Sequence, residues 1–75
     1  MRRGTRVLVR WVDIQTASHS EEDIEPIEAE TVGWIESDTR AFLRVRTSRY
    51  THSDFRKLAD KIVIPKGCIT SVEEI

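Results

Sequence analysis

Lys61-Ile62-Val63-Ile64-Pro65-Lys66-Gly67-Cys68-Ile69-Thr70-Ser71-Val72 reads as a short apolar strand, a tight turn and a second short strand. Pro65 fixes φ and lacks a ladder donor, so the first strand is expected over 61–64. Gly67 offers the left-handed backbone that a sharp reversal often requires. The second strand is expected over roughly 68–73. A final strand that re-enters the sheet is how small closed barrels hide their edges. The segment therefore points to an all-β fold.

The rest of the chain is bounded by its size. Seventy-five residues make a single domain, 1–75. Ordering such a chain costs about 1.5 kcal/mol per residue, which apolar burial only roughly offsets. Self-association into a homo-oligomer is expected, because an interface adds burial. Acids and bases nearly cancel, to a formal charge of −1, which argues against a generic nucleic-acid coat but allows a local basic face. The single Cys68 excludes an internal disulfide. No apolar run approaches a membrane span. After the basic start Met1-Arg2-Arg3-Gly4-Thr5-Arg6, the run Val7-Leu8-Val9 is too short for a signal h-region. The expectation is a soluble protein of the cytoplasm.

Residues 5–13 read as the first strand. Val7, Val9 and Trp11 are expected to point inward, since the opposite register would bury Arg10. Residues 14–30 read as a long connection with six acids between 21 and 30. There Ser20-Glu21-Glu22-Asp23 fits a helix N-cap, and Pro26 limits any helix to about one turn. A loop this long in so small a domain is usually functional or partly mobile. A hairpin follows, with arms 31–36 and 40–50 around Ser37-Asp38-Thr39. In its second arm Ala41, Leu43, Val45 and Thr47 share one side. Phe42, Arg44, Arg46, Ser48 and Tyr50 share the other, so one face is buried and one wet. Gly33 in mid-strand suggests a bulge, a bend or a close backbone approach. Residues 51–60 read as a polar connection with one helical turn.

Arg44, Arg46 and Arg49 are the strongest binding signal. With Phe42 and Tyr50 beside them, guanidinium groups interleave with aromatic rings, a pattern suited to phosphates and stacked bases. Lys66 adds a cation. Trp34 is either a platform on this face or the largest core residue. His19, in the long loop that would form a lid or rim, completes the candidate set. The competing reading is a solvated face whose arginines pair with the acids of 21–30. No metal-ligand spacing is present, since His19 and His52 stand alone and one cysteine cannot supply it. No cofactor is expected. A Cys68–His nucleophile is weakly supported, and no motif makes an enzyme of the chain.

The runs Val9-Arg10-Trp11-Val12-Asp13, Thr31-Val32-Gly33-Trp34-Ile35 and Ile64-Pro65-Lys66-Gly67-Cys68-Ile69 resemble a group of short phage and prophage proteins. The closing segment also resembles the last turn and strand of SH3-like and Sm-like barrels. This resemblance implies a small five-stranded barrel with a long first loop and one or two short helical turns. The chain departs from the Sm pattern in showing no N-terminal helix and no glycine–asparagine signature. The expected function is non-catalytic binding in a phage setting: counter-defence by sequestering a nucleotide signal or covering a host protein. The alternatives are an Sm-like nucleic-acid binder and an assembly factor whose acidic loop (Glu21, Glu22, Asp23) holds a basic partner.

Overall fold

The computed structural model of the chain describes residues 1–14, 24–49, 51 and 59–75. It is all-β. Five strands form one antiparallel sheet in the order β4-β3-β2-β1-β5. They are β1 (Arg6–Asp13), β2 (Ile27–Asp38), β3 (Phe42–Arg46), β4 (Lys61–Pro65) and β5 (Ile69–Glu74), with a 3-10 turn at Lys66–Cys68. The expected helical turns near 20–23 and 51–58 lie outside the described residues, Thr51 apart. Among the described residues, no helix is long and apolar enough to cross a membrane.

β2 is the strand every other feature hangs on. Residues Ile27–Trp34 pair with β1, and Trp34–Asp38 pair with β3. The expected loop of 14–30 is therefore shorter: residues 27–30 belong to the strand, because Arg10–Asp13 opposite them provide a ladder for their backbone. Sequence alternation missed this, since Glu28 and Glu30 read as loop acids. At the other end, β3 is shorter than its expected 40–50. The turn is set by Thr39, whose Oγ1 accepts from the Ala41 (3.2 Å) and Phe42 (3.0 Å) N–H groups.

Gly33 marks the crossover between the two ladders. A Cβ there would lie 2.2 Å from the Arg46 carbonyl oxygen and 2.6 Å from Val45 Cγ1. Only glycine lets β2 and β3 approach so closely. Gly67 does not play the role expected of it. It takes no positive φ and sits in the 3-10 turn with open space where a Cβ would go. The left-handed glycine is Gly4, at φ 88°. It folds the N-terminal segment over β2, where the Gly4 N–H donates to Ile35 O (2.7 Å) and the Ile35 N–H to Thr5 O (2.8 Å).

The core is small. Val7, Val9, Ile35, Leu43, Val45 and Ile64 are buried, with Trp11, Ile62, Cys68, Ile69 and Val72 partly covering them. Of the expected inward set Val7, Val9 and Trp11, the two valines are buried and Trp11 packs against them partly buried. Ala41 and Thr47 share the side of Leu43 and Val45 by alternation but are exposed, because both lie beyond the ends of β3. Trp11 is half-buried, and its Nε1–H donates to Thr31 Oγ1 (3.0 Å).

Gly33→Ala is expected to cost about 1–3 kcal/mol, because the added methyl meets backbone that cannot give. Gly67→Ala is expected to change stability by less than about 0.5 kcal/mol. Urea denaturation of the two variants beside the parent protein separates them.

Candidate functional site

The outer face of β2–β4 gathers most of the anticipated residues. Strand registers line up Arg6, Trp34, Arg46 and Lys61 in one row across four strands. Directly opposed residues on adjacent strands point the same way. One step along, Arg44 pairs with Val63 of β4. Buried Leu43 and Val45 alternate with these cations, so the cations face outward.

A bulge builds the electrostatic centre of this face. Ile35 opposes Val45, but Ser37 opposes Arg44, so Glu36 is the extra residue on β2. Bulges re-aim a side chain. Here Glu36 lies among three cations. Its Oε1 is 3.0 Å from Lys61 Nζ and 3.8 Å from Arg44 Nη1, and its Oε2 accepts from Arg46 Nε–H at 3.2 Å. Its side chain is only 11% exposed. The Lys61 hydrogen bond and charge, joined by those of Arg46, hold the Glu36 carboxyl below its ordinary range, against the opposing effect of desolvation.

Trp34 is half-buried on this face rather than sealed in the core. The Arg49 guanidinium sits over its ring, 4.2 Å from the centroid. Arg44 lies 5.3 Å from the Phe42 ring centroid. Guanidinium–aromatic stacking of this kind contributes about 0.5–1 kcal/mol at exposed sites. A hollow of about 100 Å³ opens between Arg3, Gly4, Trp34, Glu36, Arg46 and Arg49.

The competing expectation pairs these arginines with the acids of 21–30, of which Glu21, Glu22 and Asp23 lie outside the described residues. Among the described residues, Arg44 and Arg46 pair with Glu36, on the neighbouring strand. Glu30 instead pairs with Arg10 (3.7 Å), which also reaches Glu73 (3.5 Å). Lys66 is not part of the Glu36 group. It is held by Asp38, which also binds the Met1 amino group. The Lys66 hydrogen bond and then the amino group keep the Asp38 carboxyl low, with desolvation opposing. His19 and Tyr50 lie outside the described residues, as do His52, Glu21, Glu22 and Asp23. Cys68 is a half-buried free thiol. Among the described residues, no three His, Cys, Asp or Glu side chains are placed to hold a metal ion.

Glu36, Lys61, Arg6 and Arg3 were missed by sequence reading. Only the alternation of Trp34 and Glu36 along β2 hinted at the first. The others needed the strand register. Comparison with protein-family models, characterised proteins and solved structures returns no match, so the site rests on its own geometry.

Both Glu36 and Asp38 titrate below their ordinary values of 4.5 and 3.8. The folded chain thus binds these protons less tightly than the unfolded chain. The stability they confer is complete above those values and is lost as pH falls through the lower folded ones. The urea midpoint is expected to drop progressively below about pH 4.5. Glu36→Gln should flatten part of that acid limb, which circular dichroism across a pH series would read.

Proposed function

We propose that this chain is a non-catalytic binding protein that holds a phosphate-bearing ligand on the outer face of β2–β4. The observation that carries this reading is the charge imbalance around Glu36. Among the described residues, Arg44, Arg46, Lys61 and Arg49 bring four positive charges to the neighbourhood of one carboxylate. Arg3 and Arg6 border the same surface. Cations in such excess, set beside an indole, suit the charged oxygens and flat base of a nucleotide.

The size of the hollow narrows the mode. Sites that enclose a small molecule run to about 300–1,000 Å³. At about 100 Å³ this one takes a phosphate group but not a whole nucleotide. The ligand lies along the face, and full sequestration requires a second copy to cover it. Two edges are available for such pairing, since among the described residues β4 and β5 each have a ladder partner on one side only.

The strand order, the close approach of β2 and β3 at Gly33 and the 3-10 turn between β4 and β5 support an SH3-like or Sm-like barrel as the architecture. The resemblance to short phage proteins is what makes counter-defence in a bacterial cytoplasm the setting: a nucleotide signal withheld, or a host protein covered.

Glu36 competes with any anion for the three cations around it. Arg44→Ala or Arg46→Ala should therefore weaken ATP binding about tenfold, the scale of one charge-assisted hydrogen bond. Glu36→Gln should strengthen it. Isothermal titration with ATP and with a short single-stranded oligonucleotide tests both. Equal ATP affinity in all variants would sink the reading. A steep loss of oligonucleotide affinity with salt, with no saturable ATP binding, would replace it by the nucleic-acid-binding one.

A further inference from the structure

A second surface lies at the far end of β1, where nothing in the cationic face extends. A hollow of about 360 Å³ opens between the base of the first loop and the 3-10 turn. Val12, Ile14, Ile24 and Pro26 line it on one side, and Gly67 and Cys68 on the other. Its volume falls in the range of sites that accept side chains or small ligands. The aliphatic groups around it are unusually wet. Ile14 is 75% exposed, Ile24 49% and the adjoining Ile27 55%. Three exposed isoleucines at one end of a small domain mark a surface that gains by being covered.

The charge around the hollow says what covers it. Asp13 and Glu25 are part of its lining, and Glu28 follows Ile27 on β2. Among the described residues its lining contains no lysine, arginine or histidine. Lys66, next to Gly67, is drawn away to Asp38. An apolar floor bordered by Asp13 and Glu25 repels phosphates and anionic bilayers and attracts cations.

We propose that this hollow docks a short segment of a partner protein: an aliphatic or aromatic anchor flanked by lysine or arginine. The anchor fills the space over Gly67 and against Ile14 and Ile24. The flanking cations meet Asp13 and Glu25. Buried anchor and charged rim then act as they do in peptide-binding grooves, the first supplying affinity and the second selectivity. The site is independent of the Glu36 face, and either surface can fail without the other.

The test uses the full chain and three synthetic peptides: one with leucine anchors between lysine and arginine, one with the flanks changed to glutamate, and one with the anchors changed to alanine. Amide shifts in nitrogen–proton spectra report the binding position. The first peptide is expected to saturate with shifts at Ile14, Ile24, Gly67 and Cys68, and the other two to bind at least about tenfold more weakly. Gly67→Leu projects a side chain into the hollow from a position with no neighbour within 4 Å, so the fold is retained. It should lower affinity by about tenfold or more, whereas Arg46→Ala leaves it unchanged. Asp13→Asn with Glu25→Gln should weaken binding and flatten its salt dependence. Equal binding of all three peptides, no saturable binding of the first, or unchanged binding by Gly67→Leu overturns the proposal. So does sedimentation showing a parent dimer that Gly67→Leu makes monomeric, since the occupant would then be a second copy.

Discussion

The close passage of β2 over β3 at Gly33 is the constraint from which the rest of the molecule follows. The Arg46 carbonyl occupies the place where any other residue would carry its Cβ. Because the backbones meet there, one twelve-residue strand serves two ladders, β1 along its first part and β3 along its last. Val7, Ile35, Leu43, Val45 and Ile64 are thereby turned toward one another into a core of aliphatic side chains. The residues that alternate with them are turned outward. Core and candidate site are the two sides of the same pleat.

That outward side carries an electrostatic conflict, moderated by a bulge. Arg44, Arg46 and Lys61 stand on adjacent strands, where like charges repel. Glu36, displaced into their midst, offsets the repulsion without cancelling it. Surface ion pairs of this kind contribute little stability, about 0–1 kcal/mol each. Their consequence is organisational: the guanidinium groups are held in place, with positive charge left over among the described residues. β1 then separates two unlike surfaces. An eight-residue strand spans about 24 Å. Arg6 at its start belongs to the cationic face. Val12 and Asp13 at its end belong to the apolar, acidic hollow.

Particular residues show how far the fold could be read in advance. Val7, Val9, Leu43 and Val45 were legible because strict alternation of aliphatic with charged residues has one low-energy register. Gly33 was legible as a bulge, a bend or a close approach, because glycine inside a strand has few other uses, and the structure decided for the close approach. The extension of β2 back to Ile27 was not legible. Glu28 and Glu30 are solvated on the outside of a ladder, and a solvated strand acid looks like a loop acid. Gly67 misled, since a 3-10 turn after proline needs no left-handed residue, whereas the turn at Gly4 does.

Chain order alone was enough for strands, for a wet face bearing Phe42, Arg44 and Arg46, and for a glycine where backbones would touch, because each depends on neighbours close in sequence. Folding in three dimensions was needed to bring Glu36 to Lys61, to lay Arg49 over Trp34 and to set Ile14 and Ile24 beside Gly67 and Cys68. These encounters join residues far apart in the chain. They are fixed by strand order, by ladder register and by a one-residue bulge, and a shift of one residue in any ladder would turn the same side chains to the opposite face.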